Sequence, residues 1–371
     1  MTDQEYRTAI EGVIHLAGCA VKGIVPDQET IAALDLEQVY RAAEDHKLAA
    51  AVGMALESAG CCDRQFSVAV AKAQRRTALL EADRAAVLAK LEEAGIWYMP
   101  LKGAILKDLY PRFGMREMVD NDILFDDSRA EDVRQIMEGL GFATKRFESW
   151  SDDEYQKPPV SNFEMHRALF HASNREDLYP YFADAKERLI KDEGNSFGYH
   201  FSNEDFYIYG VAHEYKHYSR GGTGLRSLVD TYVFLKKTPI DMEYVRRVME
   251  KIGISDFEQK NRELALKLFD GGALEPNQTE MLEYIISSGT FGTAQHEADN
   301  LIAEKGRVDF LLSRMTLPRK LMQDEYPILK KLPILYPFVW VWRFIFRFFT
   351  HHNTFMVQLK AALGLKRGKD K

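Results

Sequence analysis

The sequence predicts an α+β protein, a small α/β unit set between an N-terminal and a longer C-terminal helical region. Three observations carry this. Residues 1–95 place apolar side chains at three- and four-residue spacing, as helices with one buried face do. From 96 to about 175 the period shortens, and β-branched or aromatic runs alternate with short helical ones. From about 203 the helical spacing returns. The expected divisions are 1–95, 96–190, 191–330 and 331–371, the last rich in aromatic and basic residues.

In chain order, "RTAIEGVIHLAGCAV", "LDLEQVYRAAEDHKLAAAVGMALESAG" and "FSVAVAKAQRRTALLEADRAAVLAKLEEAG" read as helices, the last ending at Gly95. "IWYMPLKG" reads as a strand feeding a turn. "AILKDLY" returns to helix spacing and stops before Pro111, and "NDILF" is a short buried strand. "DDSRAEDVRQIMEGLG" has acids and a Ser at its start and a Gly at its end, so a capped helix is expected. "FATKRFESW" and "VSNFEMHRALF" read as further strands. "NEDFYIYGVAHEYKHYS", "LRSLVDTYVFLKK", "MEYVRRVMEKIG", "DFEQKNRELALKLF" and "QTEMLEYIISSG" are helical, and "SRGGTG" is a loop between two of them.

Composition narrows the function classes. A net charge of -7 argues against broad nucleic-acid coating, which needs a basic footprint. Three cysteines, Cys19, Cys61 and Cys62, make no disulfide framework and no CxxC zinc site. "MTDQEYRTAI" has no apolar signal-peptide core, and no run of eighteen apolar residues marks a spanning helix. A cytoplasmic protein is expected.

The stretch with the most chemistry is "MPLKGAILKDLYPRFGMREMVDNDILF". Asp120 and Asp122 stand two apart as the chain enters an apolar strand, and residues i and i+2 of a strand share a face. Both carboxylates can then meet one hard cation, or two side by side, as phosphoryl and nucleotidyl transfer require. Upstream, Lys102 and Gly103 end a strand and open a helix, a place where phosphate oxygens can reach backbone N–H groups. Arg116 has two natural readings, a grip on phosphate or an ion pair with Asp120 or Asp122.

With "PLKGAILKDLY", "MREMVDNDILF", "GLGF" and "FEMHRALF", the chain resembles a family of bacterial nucleotidyltransferase-like proteins of the DNA polymerase β superfamily. "AHEYKHYS" and "LRSLVDTYVFL" are similar to that family's helical half, and the resemblance covers roughly 75 to 240. It implies a small mixed-sheet nucleotidyltransferase core and a two-metal Mg²⁺ site. The acid pair of the superfamily falls on Asp120 and Asp122, and its third acid on Glu164 in "FEMHR". Its phosphate-cradling Gly-Ser turn falls on Gly103 and Ala104, so the hydroxyl is missing, and the third acid is Glu where Asp is usual. Lys102 and Arg116 would neutralise phosphate, and His166 would orient Glu164 or touch the acceptor. The implied activity moves a nucleoside monophosphate from an NTP, ATP above all, to a hydroxyl of an unknown acceptor. The alternatives are a nucleotidyltransferase-fold binding module in a biosynthetic complex and a toxin-type nucleotidyltransferase.

"HEYKH" has the letters of a zinc-protease helix, His213 and His217 one turn apart with Glu214 between them. The third ligand of the metzincin form is missing: Arg220 and Thr223 stand where Gly and His are needed. No zinc is expected. His213 and His217 are expected to face the cleft between the helical half and the α/β unit, touching nucleotide, acceptor or a buried carboxylate. Arg226 and Asp230, one turn apart, are expected to pair.

"LPILYPFVWVWRFIFRFF" remains. Pro337 marks a helix start there. Two readings fit residues 334–349: a segment packed back as core with Arg343 and Arg347 reaching solvent, or a peripheral contact with a membrane surface. "HHNTFMVQLKAALGLKRGKDK" adds a second amphipathic stretch and a basic end.

Overall fold

The computed structural model describes residues 2–147, 152–171, 177–290, 294–307 and 328–350, with 309, 322, 323, 326, 356, 357 and 361. The chain divides into two compact units, Met1–Lys216 with Gly224–Ile286, and His217–Thr223 with Ser287–Lys371.

The first unit begins with α1 (Asp3–Lys22), opened by Thr2 and Glu5 bonding each other's backbone N–H and closed by Gly23. Four helices follow: α2 (Gln28–Ala32), α3 (Leu36–Asp45), α4 (Ala49–Ser58) and α5 (Arg64–Glu93). The long run through "EDHKLAAAV" is two helices, not one, because the chain turns at Lys47 with a φ of 55°. His46 stabilises that break. It is buried, its Nδ1 accepts the Leu225 N–H at 3.2 Å, and burial lowers its pKa to about 4.

Then come β1 (Tyr98–Pro100), α6 (Gly103–Leu106), β2 (Asn121–Phe125), α7 (Ala130–Gly139), β3 (Ala143–Arg146), β4 (Asp152–Lys157) and β5 (Ser161–His166). The sheet order is β1-β2-β5-β4-β3, with β2 and β5 parallel and the other pairs antiparallel. It is therefore a mixed sheet, and the class is α+β. The "FATKRFESW" strand is seen at Ala143–Arg146, and 148–150 lie outside the described residues.

One sheet face is apolar. Ile123 and Phe125 of β2, Tyr155 of β4, and Phe163 and Met165 of β5 pack with Val87 and Leu91 of α5 and Val133 and Met137 of α7. Strand alternation sends the intervening side chains to the opposite face, and these include Asp122, Glu164, His166 and Glu154. Covering one face with helices thus presents a row of polar groups on the other.

After α8 (Tyr179–Phe182) and a two-stranded ribbon of β6 (Ile190–Lys191) and β7 (Tyr199–His200), the helices resume. They are α9 (Asn203–Tyr218), α10 (Leu225–Lys237), α11 (Met242–Lys251), α12 (Ser255–Asp270) and α13 (Pro276–Ser288). Within the first unit, α1 packs on α3, α4, α10 and α12.

The second unit contains α14 (Ala294–Lys305), whose Ala298 is buried against Leu301 and Ile302, and a helix over Tyr336–Thr350 with Pro337 in its first turn. Arg343 of that helix is buried, contrary to the expectation of a solvent-reaching arginine. Most of "HHNTFMVQLKAALGLKRGKDK" lies outside the described residues. Among the described residues, no helix is long and apolar enough to cross a membrane.

Candidate active site

The segment between α6 and β2 is pinned from several directions before it delivers its carboxylates. Gly114, at φ 79°, lets the chain run against α5, where an added Cβ would lie 2.7 Å from the Gln74 side chain. Arg76 of α5 donates to the Val119 carbonyl at 2.7 Å, and Arg226 of α10 donates to the Glu117 carbonyl at 3.1 Å. Asn121 then turns toward α5, donating to the Leu80 carbonyl at 3.0 Å and accepting from Arg84 at 3.1 Å. With Asn121 anchored there, alternation puts Asp122 on the polar face.

The parallel register of β2 and β5 sets Asp122 beside Glu164 and Leu124 beside His166. His166 donates from Nε2 to Asp122 Oδ1 at 2.8 Å, and the same nitrogen lies 3.7 Å from Glu164 Oε2. Lys102 reaches Asp122 Oδ1 at 2.7 Å. Its backbone has φ 46° and ψ -117°, a region that L-residues avoid, and Leu101 N–H to Asp122 C=O at 2.9 Å holds the strand just before it. One donor atom each of Asp122, Glu164 and His166 lie within 4.8 Å of one another.

The site holds more negative charge than it neutralises. Burial alone would raise the Asp122 pKa, yet the Lys102 charge and the His166 hydrogen bond hold it well below the usual carboxylate range. Asp120 and Glu164 are helped less: the Lys102 charge lowers both, and Arg226 and Arg116 also lower Asp120, but these are outweighed. Burial, then the Asp122 charge, raises Asp120 to about 6 and Glu164 to about 7. Burial lowers the pKa of His166, which favours the neutral imidazole that a metal needs. Two carboxylates and an imidazole, with a third carboxylate in their field, suit a divalent cation. Asp122, Glu164 and His166 could hold a metal ion.

Arg116 is not part of this group. It grips Asp230 with two bonds, Nε to Oδ1 at 2.7 Å and Nη2 to Oδ2 at 2.9 Å, and Tyr110 donates to the same Oδ1 at 2.6 Å. This corrects two expectations: Arg116 pairs with neither Asp120 nor Asp122, and Asp230 is held by Arg116 and not by Arg226. Arg116 also explains Gly103. A Cβ there would lie 2.5 Å from Arg116 Nη1, so the glycine makes room for a guanidinium. Ala104 beside it is buried.

On α9, His213 lies near the Tyr209 ring, with centroids 6.1 Å apart. The His217 side chain is exposed, and its carbonyl caps the helix by accepting from the N–H groups of Arg220, Gly221 and Gly222. Glu214 points elsewhere: it is buried and accepts from Asn261 Nδ2 at 2.8 Å. Among the described residues, no group of metal-ligand side chains includes His213, Glu214 or His217. Tyr209 was not singled out in the sequence. It is buried within the electrostatic reach of Lys102, Asp122 and Glu164, one turn before His213. Its spacing from the two histidines was the available signal.

Comparison with known proteins agrees with this geometry. No curated protein and no solved structure matches the chain. A family model described as uncharacterised nucleotidyltransferase matches residues 32–270, which include α3 to α12 and every residue of the site. The chain belongs to this uncharacterised nucleotidyltransferase family.

Proposed function

We propose that the protein is a Mg²⁺-dependent nucleotidyltransferase that moves a nucleoside monophosphate from ATP or another NTP to a hydroxyl of an acceptor. The observation that carries this is the β2–β5 register, which sets Asp122 against Glu164, with Asp120 within their electrostatic reach, in a chain of this family. Asp122, Glu164 and Asp120 are the groups that would hold magnesium, which when bound offsets phosphate charge and acts as a Lewis acid. His166 keeps the Asp122 carboxylate oriented and ionised. Lys102 supplies a fixed cation beside the place where triphosphate charge arrives.

In the reaction the acceptor oxygen bonds to the α-phosphorus. The bridging bond to the β-phosphate breaks, and pyrophosphate leaves with the electron pair. The hydroxyl proton passes to the Glu164 carboxylate, set beside Asp122 by the strand register.

A second reading is favoured by Ala104 in the superfamily's Ser position and by Lys102 already occupying Asp122 Oδ1. In it the fold binds nucleotide without turning it over. Incubation with α-labelled ATP, magnesium and cell extract as acceptor source separates the two. The enzyme reading expects label in an acceptor, with Glu164→Gln cutting transfer by ~10²–10⁴-fold while nucleotide binding persists. Tight MgATP binding without transfer from any fraction would favour the binding module.

A further inference from the structure

We propose that the helix Tyr336–Thr350 docks the protein on an anionic lipid surface, lying in the plane of the interface. Phe338, Val341, Trp342, Ile345 and Phe346 recur at the spacing of one helical stripe. All five are exposed, Phe338 by 72% and Trp342 by 60%. Leu332 and Ile334, just before the helix, extend the exposed apolar surface, with Ile334 at 80%. Single exposed apolar side chains are ordinary, but a contiguous row of them marks an interaction surface. The row is also organised: Trp342 stacks on Phe346 with ring centroids 6.1 Å apart.

Charge selects the occupant. Between 326 and 369 the sequence has eight Lys or Arg and no Asp or Glu, in a chain whose net charge is -7. Lys331, at the approach to the helix, is exposed. Two copies meeting through this stripe would bring two basic segments together, whereas an anionic bilayer attracts both. Trp and Phe suit the boundary between headgroups and acyl chains. At 15 residues the helix is about 22 Å long, too short to span and long enough to lie flat.

Flotation of the full chain tests this, using vesicles of phosphatidylcholine and phosphatidylserine in equal parts and vesicles of phosphatidylcholine alone. Flotation is expected with the anionic vesicles at low ionic strength and is expected to be lost as salt rises. The double variant Phe338→Glu with Trp342→Glu should stay with the unbound fraction. Both side chains are exposed, so its unfolding temperature and MgATP binding should match the parent's. A parent that does not float on anionic vesicles, or a double variant that floats as well as the parent, overturns the proposal. So does a parent that self-associates without lipid and is dispersed by the double substitution, which would make the stripe an interface between copies.

Discussion

The segment between Lys102 and Asp122 feeds two clusters of buried charge, and they differ in how charge is balanced. Around Asp230, one carboxylate receives two bonds from Arg116 and one from Tyr110, with the Arg226 charge nearby. On the sheet face, Lys102 contacts Asp122, and His166 lies between Asp122 and Glu164, with Asp120 in the field of Asp122. The first cluster is complete and ties α10 to the loop that carries Asp120. The second favours one carboxylate at the expense of two, leaving Asp120 and Glu164 with raised pKa values. Under the proposed function, the cluster with excess negative charge would receive a cation, whereas the balanced cluster holds the chain together. The raised pKa values of Asp120 and Glu164 follow from this imbalance.

The strongest way to break the comparison is Asp122→Asn. Losing this carboxylate should lower nucleotidyl transfer by ~10³-fold or more, since metal-assisted charge stabilisation is worth several kcal/mol. Relief of acid–acid repulsion taken alone would stabilise the metal-free protein of an Asp122 variant. The structure argues the reverse, because Lys102 and His166 both lose their partner. Thermal unfolding of the metal-free protein should show a lower midpoint.

Asp230→Ala probes the other cluster. It leaves the Arg116 guanidinium buried and uncompensated, which costs ~3–5 kcal/mol in such settings. Urea unfolding should show this loss. An unchanged midpoint would mean that Arg116 finds another anion and that the two clusters are not so different.

Glu214 shows that a raised pKa alone does not mark a site. Its carboxyl is pushed up to about 7 chiefly by burial, from an ordinary 4.5. The folded state therefore holds a proton that the unfolded state has released, and stability falls as pH rises from about 4.5 to 7. Glu214→Gln keeps an acceptor for Asn261 and removes the titration. At pH ~8 the variant should be more stable than the parent by up to ~3 kcal/mol, with the difference shrinking toward pH ~4.5. A pH-independent difference would contradict this account.

The smallest effect is expected for Asp120→Asn without metal. Removing a carboxylate that repels Asp122 should raise the unfolding midpoint slightly at neutral pH, opposite in sign to Asp122→Asn. A fall of similar size in both variants would remove the distinction drawn between the two acids.

Much of the core was legible because its signals are local. "NDILF" coincides with β2, and "DDSRAEDVRQIMEGLG" holds α7. The strand β4 was missed because "DDEYQK" has one apolar residue, Tyr155, and its face is set by neighbours, not by its own pattern. Asp122 and Glu164 were readable as acids on strands, and Asp120 as an acid just before one. Their partners were not, because Lys102–Asp122 depends on the antiparallel β1–β2 pairing across 20 residues and Asp122–His166 on the parallel β2–β5 register across 44. Arg116 and Asp230 meet across 114 residues, so a nearby acid in the sequence was the misleading choice. Asn121 lies between the two acids, yet its role is visible only once α5 is in place.

The most direct test is a Mn²⁺ titration followed by electron paramagnetic resonance, with and without ATP, on the parent, Asp122→Asn, Glu164→Gln and Asp230→Asn. The expected result is saturable Mn²⁺ uptake by the parent, strengthened by ATP, abolished in Asp122→Asn, weakened in Glu164→Gln and retained by whatever Asp230→Asn protein remains folded. Equal uptake by the parent and Asp122→Asn would contradict the claim that the unbalanced acids on the sheet face form the cation site.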